Sequence, residues 1–343
     1  MHTETDVAAT FVMPYYADRP QSANWLDEAV GALLAQTDPD WALVIVDDAS
    51  RDACARDRLL AISREHADRV FVVLEERNRG AGACRNIGVR WAKERGSPLV
   101  LFNDADDLSH PRRLEVVKIL QLRQPAVDFV YSSVAVIDER GVDCPRDRLI
   151  PALQEILESH ESAPVEGLDA WIRMGTETGY TCVTSTVAVR TDLAIAHPFP
   201  PVRFSEDAHT WLRMSAAGSR LAFAEGIPTR YRVPRDVRGQ CSRDRVGDAS
   251  DRIKASVDTA GFAQAITLAM RRGRIEREHA PLLWERFFLR LAQTMRKGGR
   301  HDLANDLVER AGLARTSDGA NTGERGQAGS CARRRRGHAR GPV

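Results

Sequence analysis

From Val7 to Ile137 the chain alternates two kinds of hydrophobic pattern, and that alternation constrains its fold more than any other feature. Nearly unbroken apolar runs occur within Val7 to Tyr16, and at Trp41 to Val46, Val70 to Leu74, Leu99 to Phe102 and Val127 to Ile137. Between them, Asn24 to Gln36, Cys84 to Arg95 and Arg112 to Arg123 carry apolar residues at helical spacing. Ser50 is placed as the cap of a further helix, with Asp52 in its first turn. A strand apolar on both sides must be covered on both faces, so runs of this kind predict a mostly parallel sheet flanked by helices. In such sheets ligands bind beyond the carboxyl ends of the strands. Pro14-Tyr15, Asp47-Asp48, Asn78 to Arg85 and Asp104 to Asp107 all fall at those ends.

The last of these clusters, Asp104-Ala105-Asp106-Asp107, places three carboxylates where a buried strand stops. Charges so close repel and raise one another's pKa unless a cation compensates. A divalent metal bridging to phosphate would do so; a solvated acidic turn is the plainer reading. Asn78 to Gly88 is a glycine-rich approach to a helix that carries Arg85. Backbone N–H groups, helix dipole and guanidinium there suit a diphosphate; a glycine turn with a solvated arginine is the alternative. A dinucleotide fingerprint is not expected, because the motif does not follow the first strand and Arg85 stands at its third glycine.

Bulk properties narrow the classes. With 343 residues, 43% of them hydrophobic and 28% charged, the chain can bury a large core. A net charge of +1 gives no electrostatic basis for binding nucleic acid. No apolar run has spanning length and no signal peptide is expected, so a cytoplasmic protein is predicted. The six cysteines form no C-x-x-C pair and the nine histidines no H-x-x-x-H pair, which leaves a disulfide framework or a histidine metal site unsupported.

Beyond residue 180, Thr181 to Val189 reads as a strand, Glu206 to Ala217 as a helix, and Leu221 to Ala224 and Ile227 to Val233 as short strands. Ala249 to Ala314 reads as mostly helical, broken near Gly273 and at Gly298-Gly299. The boundaries expected are a main domain over 1–240, a helical extension over 241–315 and a disordered basic tail over 316–343 with the run Arg333 to Arg336. The stretch Pro281 to Lys297, apolar on one side and basic on the other, is expected to pack on its own domain or a partner subunit; weak contact with an anionic membrane is the alternative.

In order, Pro14-Tyr15-Tyr16, Leu34-x-Gln36-Thr37, Val46-Asp47-Asp48-x-Ser50, Asn78-x-Gly80-x-x-x-Cys84-Arg85-Asn86-x-Gly88 and Asp104-Ala105-Asp106-Asp107 resemble family 2 of the inverting glycosyltransferases. That resemblance spans Thr10 to Val233 and implies the GT-A, Rossmann-like fold of nucleotide-diphospho-sugar transferases. It implies Pro14 and Tyr15 beside the nucleotide base, and Asp48 bonded to uracil with Asp47 supporting the turn. It places Arg85 near base and diphosphate, Asp104 near ribose and metal, and Asp106 as the ligand of Mn²⁺ or Mg²⁺. Phe204-Ser205-Glu206-Asp207 resembles the family's E-D motif, which makes Asp207 the catalytic base and Glu206 the fallback; Ser205 capping an acidic first turn is the other reading. Arg232 would approach the diphosphate, with Arg235 or Arg238 as alternatives, and Thr184-Ser185-Thr186 would lie under the acceptor. The expected donor is a UDP-sugar and the acceptor a glycan, lipid-linked sugar, peptide or small molecule. A sugar nucleotidyltransferase, or a non-catalytic sugar-nucleotide-binding or scaffold protein, are the rival functions.

Overall fold

A computed structural model describes residues 8–17, 21–149, 151–233 and 246–322. The strands are β1 (Ala9–Tyr15), β2 (Trp41–Asp47), β3 (Val70–Leu74), β4 (Leu99–Phe102), β5 (Val127–Ile137), β6 (Ala188–Arg190) and β7 (Arg220–Arg232). They form one sheet in the order β3-β2-β1-β4-β6-β5-β7. Short β6 runs antiparallel to β4 and β5, and the other pairs are parallel. The mostly parallel α/β sheet agrees with the sequence expectation.

The two-residue period of the strands divides the core. Val12, Val44, Val46, Val100 and Phe102 face one apolar layer. Their neighbours Phe11, Met13, Leu43, Ile45, Leu99 and Leu101 face the other. Helices α1 (Gln21–Leu34), α2 (Ala53–Glu65), α3 (Ala81–Glu94) and α4 (Arg113–Arg123) connect the parallel strands. At Gly88 helix α3 lies so close to β1 that a Cβ would sit 2.4 Å from Val12 Cγ1.

Several boundaries differ from the sequence expectation, each for a local reason. Asp52, rather than Ser50, caps α2 by accepting the Ala55 N–H at 2.7 Å. Ser50 instead donates to Asp47 and accepts from Ala17 N–H, tying two strand ends together. The segment read as one strand from Thr181 is a 3₁₀ turn, Thr184–Thr186, before β6. Between Arg146 and Pro164, where the apolar pattern weakens, the chain forms α5 (Pro151–Ser162). The two short strands expected after residue 220 are one strand, β7, whose pairing with β5 shifts register between Ser132 and Val134.

After β5 the chain runs through α5, α6 (Ala170–Arg173) with its π-helical continuation Met174–Thr178, α7 (Thr191–Ala196) and α8 (Glu206–Ala216). Helices α9 (Ser250–Arg271), α10 (Ala280–Lys297) and α11 (His301–Thr322) follow. Their apolar faces join the layer on one side of the sheet: Phe262 stacks on Phe287 with centroids 4.3 Å apart, and Leu291 and Leu307 belong to the same cluster as Val12. The apolar side of α10 is thus buried within this chain. Helix α11 continues to Thr322, past the expected boundary at Thr316. Arg235, Arg238 and residues 323–343, including the arginine run, lie outside the described residues. Among the described residues no helix is long and apolar enough to cross a membrane.

Candidate active site

A cleft of about 500 Å³ opens beyond the carboxyl ends of β1, β2 and β4. Pro14, Tyr15, Asp48, Arg85, Asp104, Asp106 and Glu206 all line it. Asp47, Asp207 and Arg232 do not.

Asp47 ends β2 fully buried and holds the turn by accepting from the Ser50 N–H and hydroxyl. Burial, the largest influence, pushes its carboxyl pKa up. Asp48 accepts from the Arg79 N–H at 2.6 Å and the Gly80 N–H at 2.8 Å, and its carbonyl accepts from the Asn78 side chain. These three bonds hold the glycine-rich segment against the β2 end. Gly80 itself has φ +90°, a conformation side chains disfavour, and it leads directly into α3.

Arg85, on the first turns of α3, is buried rather than solvated. It donates to Asp104 at 2.7 Å and to Glu206 at 2.8 Å, and it lies over the Phe199 ring. Burial works against its charge, but Asp104 and Glu206 outweigh burial and hold its pKa above the usual arginine value. Its buried Nε finds no acceptor among the described residues. Gly82 permits this convergence: a Cβ there would come within 3.2 Å of both Glu206 and Phe199.

The three acids of the β4 end divide their work. Asp107 turns inward, accepting from the Ser185 hydroxyl at 2.5 Å and the Arg232 N–H at 2.8 Å. Burial, then Asp106 and Asp104, raises its pKa well above the usual carboxylate range. Asp104 and Asp106 face the cleft. Arg232, expected near the diphosphate, has a fully buried side chain that donates to the Asp106 carbonyl, to the carbonyls of Asp138 and Glu139, and to Glu28 at 2.5 Å. Each of its guanidinium nitrogens already has an acceptor, so it fastens the acidic loop from behind. Asp104 and Asp106 are hard oxygen donors suited to Mg²⁺ or Mn²⁺. Among the described residues no three acidic, histidine or cysteine side chains group as a metal cage.

Across the cleft, α8 opens with Glu206 and Asp207. Ser205 stands at the N-cap position with φ +61°, but its side chain makes no capping bond: its hydroxyl donates to Asp258 of α9 at 2.6 Å. Glu206 points to Arg85. Its pKa is raised, chiefly by burial and then by Asp207, with Arg85 opposing. Asp207 points the other way: Oδ2 accepts from the Tyr180 hydroxyl at 2.5 Å and the Thr184 hydroxyl at 3.3 Å, and Oδ1 from the Ala208 N–H. The Thr184–Thr186 turn therefore sits between the two acidic motifs. Ser185 also accepts from the Asp104 N–H at 2.9 Å. Tyr180 carried no periodicity or motif in the sequence; its only flag was the adjoining small polar stretch.

A model of glycosyl transferase family 2 matches residues 10–182, half of the chain. The chain belongs to that family. A glucosyltransferase of Escherichia coli, the UDP-Glc:alpha-D-GlcNAc-diphosphoundecaprenol beta-1,3-glucosyltransferase WfgD, is 25% identical over 137 residues, 40% of this chain and 49% of that protein. An uncharacterised glycosyltransferase of Methanocaldococcus jannaschii is 32% identical over 118 residues, 34% of this chain and 39% of its own length. The matches span about a fifth to a half of the curated relatives' lengths. Among solved structures, S. aureus TarS 1–349 in complex with UDP-GlcNAc superposes with TM-score 0.52 at 16% identity, over 92% of this chain and 91% of that one. The mannosyltransferase PcManGT of Pyrobaculum calidifontis, in complex with GDP-Man and Mn²⁺, gives 0.52 at 18% identity over 93% and 82%. These likenesses carry the fold, a GT-A-type sheet flanked by helices.

Proposed function

We propose that this family 2 chain is an inverting glycosyltransferase that moves a sugar from a nucleotide-diphospho-sugar to an acceptor hydroxyl. The observation that carries this is the meeting of Asp48, Arg85, Asp104, Asp106 and Glu206 in one cleft from segments far apart in sequence. Such a cleft, lined by carboxylates and one buried cation, suits a nucleoside diphosphate accompanied by a divalent metal. The relatives point the same way. WfgD is named for UDP-Glc, TarS has been seen with UDP-GlcNAc, and PcManGT with GDP-Man and Mn²⁺. A UDP-sugar is the preferred donor, with Asp48 beside the base.

Asp104 and Asp106 would hold Mn²⁺ or Mg²⁺, and the metal when bound would neutralise charge on the diphosphate leaving group. The chain supplies the rest. Arg85 places a second positive charge beside the diphosphate. Glu206 neutralises and aims Arg85, and Asp107, Ser185 and Arg232 hold the acidic loop against the sheet. Asp207 takes the proton from the acceptor hydroxyl as its oxygen bonds to the anomeric carbon and the bond to the phosphate oxygen breaks. Glu206 is less suited to that role because Arg85 already occupies it.

Titration calorimetry with UDP and GDP, with Mn²⁺ or Mg²⁺ present, and release of free nucleotide from UDP-glucose, UDP-N-acetylglucosamine and GDP-mannose, test the proposal. Metal-dependent nucleotide binding and turnover of one donor are expected. A chain that binds neither nucleotide with either cation would overturn it.

A further inference from the structure

Asp207 does not stand alone on its helix. Its Oδ2 accepts two hydroxyls, Tyr180 at 2.5 Å and Thr184 at 3.3 Å. A hydrogen bond from a phenol to a carboxylate is among the stronger neutral donors to a charge, and it fixes the carboxylate in rotation. Tyr180 is itself held. It follows Gly179, whose φ of +75° disfavours any side chain and where a Cβ would come within 2.6 Å of the Arg290 guanidinium. Arg290 of α10, half-buried, donates from Nε to the Gly175 carbonyl at 2.9 Å. At Gly175 a Cβ would come within 2.3 Å of the buried Phe262 ring of α9. The other end of the acidic pair is tied to the same helices, because Ser205, two residues before Asp207, donates to Asp258 of α9, which Lys254 pairs at 2.7 Å. Two independent tethers from the C-terminal helices thus converge on one carboxylate.

We propose that Tyr180 is a positioning residue for Asp207, and that α9 and α10 set its place through Arg290, Phe262 and the glycines at 175 and 179. This inference rests on Asp207 being the base. It assigns the C-terminal helices a part in the chemistry: they orient the proton acceptor that the sheet alone does not reach. Oδ2 accepts two hydroxyls and Oδ1 accepts the Ala208 N–H at 2.7 Å, so both oxygens are held in place, and Oδ1, with one donor against two, is the oxygen with room to receive the acceptor proton.

The test is a double-mutant cycle of Tyr180→Phe and Asp207→Asn, with thermal melting as the check on folding. Nucleotide release is followed on whichever of UDP-glucose, UDP-N-acetylglucosamine and GDP-mannose the wild-type protein turns over fastest, with Mn²⁺. Tyr180→Phe removes one oxygen and is expected to lower kcat by about 10- to 100-fold with donor KM within about twofold. In the Asp207→Asn background the same change is expected to cost nothing further, since a positioning residue acts only through its partner. Full activity of Tyr180→Phe beside an inactive Asp207→Asn overturns this inference and leaves the base assignment standing. An equal, additive loss in both backgrounds also overturns it, because Tyr180 would then act on the substrate directly. Full activity of Asp207→Asn overturns the base assignment and this inference with it. Should Tyr180→Phe melt early, Thr184→Val, which removes the longer bond, is read in the same cycle with a smaller kcat loss expected and an unchanged kcat overturning the inference.

Discussion

Glu206 and Asp207 are neighbours with the same chemistry, and their side chains face opposite partners. Asn can replace Asp207 in its bonds to Tyr180 and Thr184 but cannot take up a proton usefully near neutral pH. Asp207→Asn should therefore lower kcat by roughly 10²–10⁴-fold while nucleotide affinity stays nearly constant. Glu206→Gln keeps a hydrogen bond to Arg85, which retains its pair with Asp104, so a milder loss is expected from steady-state kinetics. At Asp106 the effect should fall on binding as well: Asp106→Ala is expected to abolish transfer and weaken UDP affinity in calorimetry with Mn²⁺. Asp48→Ala loses two backbone bonds to the Arg79–Gly80 segment, and should cost on the order of 1–3 kcal/mol of donor binding. At this scale the residue types at the strand ends were legible in the motifs. Their division of labour was not, because whether Asp107 turns inward, or Arg232 faces the cleft, depends on Ser185 and Glu28, which lie far away in sequence.

Among the elements, α3 is the most exposed to a small change. It meets β1 at Gly88 against Val12, a β-branched residue with little freedom to move. Gly88→Ala would gain up to about 1 kcal/mol in helix propensity on an isolated helix. Overpacking typically costs about 1–3 kcal/mol, and at a 2.4 Å approach that cost should win. Urea unfolding is expected to show a lower midpoint with an unchanged slope. The apolar runs made the strands of this element's layer readable. Helix α5 has Leu153, Ile156, Leu157 and His160 at helical spacing but little else to mark it, and the Thr184–Thr186 turn was not readable, since Thr184 and Ser185 spend their hydroxyls on partners remote in sequence.

For the molecule as a whole, two buried histidines set an acid limit. His197 and His209 are both held down to about 4, by burial first and by Arg213 next. A histidine depressed below its unfolded value of about 6.5 contributes stability above that pH and loses it as pH falls toward the folded value. Unfolding free energy should thus be full at pH 7 and fall between roughly pH 6.5 and 4. On the order of 1–2 kcal/mol per histidine is expected to be gone by about pH 5. Urea titrations of the wild type and of His209→Gln at both pH values check this; the variant should show the shallower pH dependence.

The sequence by itself determined the α/β alternation, the strand ends that carry ligand chemistry, and the ordered acidic and glycine motifs. These are local: an apolar run or a carboxylate at a strand end is specified by adjacent residues. The tertiary structure alone decided which carboxylates look into the cleft, that Arg85 is buried between two of them, and that Tyr180 and the helices behind it reach Asp207. Those outcomes depend on contacts between residues tens to hundreds of positions apart, which no local pattern encodes. The folding of α9 and α10 onto the same core as the sheet brings them together.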